Sequence, residues 1–348
     1  MNTKKNFAFL WLNLLSCIFV VLLHVRVSYW AGPVRMAWWV ENAISLLGMV
    51  AVPTFFMLSG ANLLGYPKRC TTKTYFRRRL EKVGIPFVFW TIVALLWALG
   101  TGHYEMGRWT KIPAVFLTND VNPTFWYFRP QFALYLVIPL FAIFLQAQRE
   151  REKAWLDFLL ALCMLQVFFI PLGRTYFPKF LETFTLPVGH GYLVYLLIGY
   201  RLVRYPLSNR EFSVLSILAV IGVFLFFFGS PWITPKGHAL DLRFASYLTL
   251  PLFFWAVWVF AVFTHPKGQK LWERAWNPLC DGFSKLTFGI YLVHYPILKT
   301  CDDILRNFGM DIGSVTWLVL RFLIVFTLSV ILVAGLRKTA WGRKLLPA

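Results

Sequence analysis

The sequence predicts an all-α, polytopic integral membrane protein with about ten transmembrane helices and both termini cytoplasmic. Three observations carry that prediction. Of the 348 residues, 58% are hydrophobic and 14% charged, and the mean hydropathy is +0.61, whereas a soluble domain is about half apolar and about a quarter charged. Apolar segments of roughly the 20 residues that cross a bilayer recur along the chain with polar connectors between them. The greater share of the 35 Lys and Arg residues falls in the amino terminus, in alternate connectors and in the carboxyl tail, which orients those parts to the cytoplasm. The chain is too short and too evenly apolar to hold a separate soluble domain, so residues 1–348 read as one transmembrane domain, without internal repeats or low-complexity linkers.

Taken in order, helix 1 is expected at about residues 7–27. Lys4 and Lys5 ahead of it imitate the start of a signal peptide. The apolar run continues to about Leu23 without a small-residue cleavage site, however, so a retained span is expected. Helices 2 to 5 follow at about 43–64, 84–101, 126–146 and 154–171. Helices 6 to 10 follow at about 188–203, 213–229, 246–264, 285–300 and 314–336. Trp30, Trp38, Trp39 and Trp232 fall near predicted outer interfaces, where amphipathic rings settle. The longest polar insertion, about 102–125 with His103, Glu105, Asp120 and Pro123, either covers an outward-facing site or serves as a connector.

The net charge of +20 and pI near 10.0 would point to nucleic acid if the cations formed a stripe on a polar domain. Here they sit in short connectors between apolar segments, which assigns them to topology and anionic headgroups and argues against nucleic acid. Cys17, Cys70, Cys163, Cys280 and Cys301 show neither CxxC nor Cys/His ligand spacing, so neither a disulfide framework nor a structural metal is expected. A P-loop, a Rossmann glycine fingerprint, HExxH and paired carboxylates on one span are all absent from the sequence, which removes support for ATP hydrolysis, redox chemistry and metal hydrolysis.

The stretch Phe55 to Pro86 organises the chain. An apolar helix end gives way to a short polar loop, then to the cations Lys73, Arg77, Arg78, Arg79 and Lys82, before the next helix opens at Ile85. Cations held at one membrane face can simply set orientation. They can equally receive a polyphosphate such as a coenzyme, because Arg makes bidentate contacts to phosphate.

FFMLSG (residues 55–60) followed by YFRRRLEKVGIPFVFW (residues 75–90) resembles the signature of the integral-membrane acyltransferase-3 family. Members of that family transfer acyl groups, usually acetyl, to cell-envelope carbohydrates. Arg79 and Lys82 occupy its two basic positions three residues apart, with Lys82 where a second Arg is more usual, and Pro86 opens the following helix. The resemblance extends to LNLLSCIFVVLLHV, which aligns His24 with the family's essential histidine and puts Asn13 at the family's basic position. It also covers FWYFRPQFALYLVIPLF, through Trp126, Tyr135 and Pro139, and FGIYLVHYPIL, through Gly289, Tyr291, His294 and Pro296.

The resemblance implies a membrane O-acyltransferase of the bacterial inner membrane, with acetyl-CoA or another acyl-CoA as co-substrate and no bound cofactor. A glycan or lipid-linked sugar would accept the acyl group. Arg77, Arg78, Arg79 and Lys82 would hold the coenzyme phosphates and His24 would promote transfer. Asn13, Ser59, Trp126, Tyr135, Tyr291, His294 and Arg321 would line the site.

The residues themselves leave alternatives open. Asn13, Cys17 and His24 share one face of helix 1, with Asn13 and His24 roughly 16 Å apart along its axis. A lone intramembrane histidine is either a packing residue or part of a functional pathway, and a neutral imidazole can take a proton from an attacking sugar hydroxyl. His24 and His294 both fall in the outer halves of outward-running helices and could face one pocket. Arg321, flanked by LVL and FLIVF, either lines the site or pairs within the bundle, and Arg129 can snorkel. Either the Arg77–Lys82 cluster suffices or another buried cation replaces the basic residue missing at Asn13. Ser59 and Cys17 sit in no recognisable nucleophile setting. A polysaccharide or lipid-linked-sugar transporter is the rival reading, against which no corresponding pair of Gly/Pro-broken helices appears.

Overall fold

The computed structural model describes residues 6–26, 36–105, 112–177, 186, 191–233, 244–310 and 315–347. Among the described residues every regular element is helical. Helix α1 spans Phe7–Val25, opened by the Asn6 side chain accepting from the Phe9 amide. Helices α2 (Met36–Gly48) and α3 (Ala51–Leu63) form one membrane-length unit. Helices α4 (Thr72–Arg79) and α5 (Ile85–Gly100) run on through a wider π turn at Leu80–Gly84. Helix α6 is short (Ile112–Thr118), and a 3-10 turn at Pro123–Tyr127 leads into α7 (Phe128–Ala147). Helices α8 (Glu152–Met164) and α9 (Ile170–Tyr176) are again joined by a π turn. Beyond them lie α10 (Leu193–Arg204), α11 (Asn209–Phe224), α12 (Ser230–Ile233), α13 (Leu250–Thr264), α14 (Pro266–Ala275) and α15 (Pro278–Ser284). The chain closes with α16 (Thr287–Asn307), α17 (Val315–Leu336) and α18 (Ala340–Leu345).

Each of the ten expected spans contains a helix, but among the described residues fewer than ten are long and apolar enough to cross a membrane by themselves. Among those residues seven helical segments qualify, and an eighth counts if α13 and α14, bent by 72°, form one span. Helix α10 has only 12 residues. The second half of α16 carries Lys299, Asp302, Asp303 and Arg306, too polar for the interior of a lone span. The cation-bearing stretch is not a loop. Thr71 caps α4 by accepting from the Thr74 amide, and helix continues from Thr72 to Gly100, 12 residues earlier than the apolar pattern alone indicates. Among the interfacial tryptophans, Trp38 is buried and Trp232 is 82% exposed, while Trp30 lies outside the described residues.

Among the described residues two large hydrophobic clusters, with two smaller ones beside them, fill the bundle. The larger joins α3, α7, α8, α10 and α13 around Phe56, Ile138, Tyr195 and Phe260, and the second joins α1, α5, the start of α7, α16 and α17 around Val21, Phe128, Ile290 and Val325. Val83, Tyr127 and Phe132 pack against both, and two cavities lie along this seam. The larger cluster depends on one very close helix crossing. A Cβ on Gly60 would sit 1.8 Å from the Leu196 carbonyl oxygen, and one on Gly199 would sit 2.2 Å from that of Met57. Small residues permit such approaches between helices in lipid, where packing rather than water exclusion drives association. Gly60→Ala is therefore expected to destabilise the fold by about 3 kcal/mol, the upper end for overpacking a tight core. A fall in detergent melting temperature of several degrees checks this, and an unchanged melting curve contradicts it.

Candidate active site

Arg78, Arg79, Lys82 and Val83 fall on one face of the α4–α5 helix, where they line a cavity of about 570 Å³ with Asn62, Tyr66, Arg69, Cys70, Phe288 and Pro347. Arg79 is half-buried and its guanidinium lies 5.7 Å from the centre of the Tyr135 ring. Its Nε is buried without a hydrogen-bond partner. Arg77, expected among the phosphate-binding cations, points elsewhere: it faces Glu81 at 3.8 Å on the exposed side of the helix. In its place Arg69 enters the wall, donating to the Asn62 carbonyl. Arg69 stood within the polar stretch but outside the cluster of Arg77–Lys82, so no spacing rule singled it out.

A second cavity, about 150 Å³, adjoins the first, and Val83 and Phe288 line both. Its walls include Asn13 from α1, Phe55 from α3, Tyr127 from the 3-10 turn before α7, Gln131 and Tyr135 from α7, and Thr287 and Tyr291 from α16. The polar groups here are held in fixed relations. Asn13 Nδ2 donates to Thr287 Oγ1 at 2.9 Å, and that hydroxyl donates to the Ser284 carbonyl at 3.1 Å. Tyr127 and Ser59 both donate to Gln131 Oε1, at 2.7 and 3.5 Å. Tyr291 donates its hydroxyl to the Thr124 carbonyl at 2.5 Å. Ser59 thus reaches the cavity through Gln131. Trp126 packs away from it, against Tyr192 and Tyr247 with ring centroids 5.9 and 5.3 Å apart; its neighbour Tyr127 faces the cavity instead.

Beyond Tyr291, whose ring centroid is 5.8 Å from that of His294, the two histidines singled out in the sequence meet. His24 Nδ1 lies 2.9 Å from His294 Nε2, with the rings nearly parallel. They line neither cavity. His294 is fully buried, and its Nδ1 lies 2.8 Å from the Tyr291 carbonyl and 3.3 Å from that of Ile290. Carbonyls only accept, so the proton of a neutral His294 resides on Nδ1 and its Nε2 is a lone pair. His24 must then donate from Nδ1, which leaves its own Nε2 free to take a proton. Backbone carbonyls on α16 therefore fix the tautomer of an imidazole on α1.

Arg321 does not join this arrangement. It grips Asp302 through two hydrogen bonds, Nε to Oδ1 at 2.9 Å and NH2 to Oδ2 at 2.8 Å, both side chains being buried. The bidentate pair ties α16 to α17 and supplies the partner that a charge at that depth requires.

These pieces are a cationic cavity, an aromatic and amide-lined cavity beside it, and, lining neither, a buried imidazole pair with one nitrogen lone pair not used between the rings. The family model of the acyltransferase-3 acyltransferase domain matches residues 9–335, nearly the whole chain. This chain is a member of the acyltransferase-3 family. No curated protein and no solved structure is similar enough to match. Within this acyltransferase-3 protein, Asn13, Phe55, Arg79, Lys82, Tyr135 and Tyr291, among the residues that carried the resemblance, line the two adjoining cavities, whereas Trp126, His24 and His294 do not. Asn13 bonds to Thr287 rather than presenting a charge.

Proposed function

We propose that this multi-pass membrane acyltransferase takes an acyl group, acetyl being the expected one, from acyl-CoA on the cytoplasmic side and esterifies a hydroxyl of a cell-envelope glycan or lipid-linked sugar. The succession of cation cavity, apolar cavity and imidazole pair carries the reading. A diphosphate-bearing donor meets Arg69, Arg78, Arg79 and Lys82, with Arg supplying bidentate contacts. Its uncharged arm suits the narrow cavity lined by Phe55, Phe128 and Phe288. The thioester then comes to His24.

There the acceptor hydroxyl gives its proton to His24 Nε2 as its oxygen attacks the thioester carbonyl. Positive charge spreads to His294, whose Nδ1–H is already held by the Tyr291 carbonyl. The C–S bond breaks, the ester forms, and the departing thiolate recovers the proton from His24. Both termini lie in the cytoplasm of a bacterial cell in this arrangement, and ten segments cross the inner membrane, α10 and α16 sheltered from lipid by neighbouring helices.

The test uses the purified protein in proteoliposomes with acetyl-labelled coenzyme A inside and a glycan acceptor outside. Label appearing on the glycan as an alkali-labile ester is the expected result. Movement of sugar across the bilayer without label transfer would identify a transporter instead.

A further inference from the structure

The segment after α17 turns back on the bundle. Thr339 caps α18 by accepting from the Gly342 amide at 2.9 Å, and a Cβ on Gly342 would sit 1.8 Å from the Leu336 carbonyl oxygen, so glycine permits the tight reversal. From α18 the chain is tied down at three places. The Leu345 carbonyl accepts from Trp90 Nε1 of α5 at 3.1 Å. The Leu346 carbonyl accepts from the guanidinium of Arg337, just past α17. The Leu346 side chain is fully buried and lies over Gly289 of α16, where an added Cβ would come within 3.2 Å of it. Burial of a whole leucine side chain is strongly favourable, so this strap is held rather than free to swing. Phe288, the neighbour of Gly289, lines both cavities, and Pro347, the neighbour of Leu346, lines the cationic one.

We propose that this strap completes the acyl-donor site, with Pro347 facing the phosphate-bearing end of the donor that Arg78, Arg79 and Lys82 receive. The assignment rests on the acyl-CoA reading above and adds a wall supplied by a segment that lies far along the chain from those cations. Two features favour a role at the donor over plain packing. Packing is complete at Leu346, whereas Pro347 is half-buried and borders the cavity. Among the described residues the lining of that cavity has four cations and no carboxylate, so a neutral residue here closes the wall without adding a charge that would repel phosphate. Leu346 and Trp90 are positioning residues that act through Pro347.

The experiment places opposite charges at position 347 and compares acetyl-CoA with acetyl-pantetheine, which lacks the phosphates. Pro347→Asp is expected to lower the ratio of kcat/KM for acetyl-CoA to that for acetyl-pantetheine by about fivefold, and Pro347→Lys to raise it by about the same factor, as for one charge acting on the donor phosphates through partly screened solvent. Both changes should appear in KM. A strap that only packs α18 against the bundle would instead respond to both substitutions with the same sign. Adding Trp90→Phe, which removes the tie to Leu345, should shrink the contrast between the two variants; a contrast that persists undiminished overturns the anchoring. Effects of one sign, or no effect, in folded and active variants overturn the role of the strap and leave the acyl-CoA reading standing. Wild type that accepts acetyl from no coenzyme A thioester overturns both.

Discussion

His24→Ala is expected to lower acyl transfer by about 10³-fold, within the range a general base contributes, while protein yield and donor binding stay at wild-type values. The prediction comes from the direction of the hydrogen bonds. Because the Tyr291 carbonyl at 2.8 Å holds the proton on His294 Nδ1, the 2.9 Å contact between the rings must run from His24 to His294. His24 Nε2 is then the one imidazole nitrogen of the pair with a lone pair available. Loss of His294 should act through His24. His294→Phe fills the space but removes the acceptor, so His24 is released to the other tautomer; about 10²-fold loss in kcat with KM little changed is expected, since a mis-set tautomer disables an otherwise intact base. His294→Gln can present an amide oxygen to His24 Nδ1 and should recover part of that loss. If His294→Phe and His294→Gln are equally impaired, the tautomer account fails and His294 is a packing residue. Single-turnover transfer from labelled acetyl-CoA separates these outcomes from changes in donor binding.

The parts of this arrangement differ in how visibly they are written in the chain. The crossing helices are legible because apolar runs of bilayer length are hard to place anywhere but in lipid, and His24 stands out as a titratable group within such a run. That His24 and His294, 270 residues apart, would touch was open, because a sequence gives the depth of a residue on its own helix but not the rotation of the neighbouring one. Arg321 illustrates the same limit. Its need for a partner was evident, yet nothing local distinguished Asp302 from a ligand as the group that meets it. Trp126 and Tyr127 differ by a single position, and the 3-10 turn at Pro123–Tyr127 decides which ring lines the cavity. Gln131 left no signal at all: a neutral amide in an aromatic helix has no periodicity and no charge to mark it. The continuous helix from Thr72 was hidden for the opposite reason, since charged residues at its exposed start break the apolar pattern while forming helix readily.

The cation cluster gives the other large effect. Arg79→Gln combined with Lys82→Gln is expected to raise KM for acyl-CoA by at least about 10²-fold, since two charge-assisted contacts of roughly 1.5–3 kcal/mol each are removed. The value of kcat at saturating donor should change little, because both residues line the first cavity and the histidines do not. Single substitutions that each remove one charge, at position 79 and at a position that only sets orientation, provide the contrast. Arg77 is adjacent to Arg78 in sequence, but its side chain faces Glu81 on the exposed side of the helix rather than the cavity. If these cations served only to keep this face in the cytoplasm, Arg77→Gln and Arg79→Gln would be interchangeable, because orientation depends on the number of positive charges near the span and not on where each side chain points. A phosphate site makes them unequal. Arg77→Gln should alter KM by no more than about twofold, as for an exposed ion pair, and Arg79→Gln by tenfold or more. Donor affinity should also weaken with added salt in wild type, and less so in the Arg79 variant, because the screened attraction has been removed. Equal effects at residues 77 and 79, with insertion of the protein unimpaired, would return the cluster to a topological role and leave the coenzyme phosphates without a site on this face.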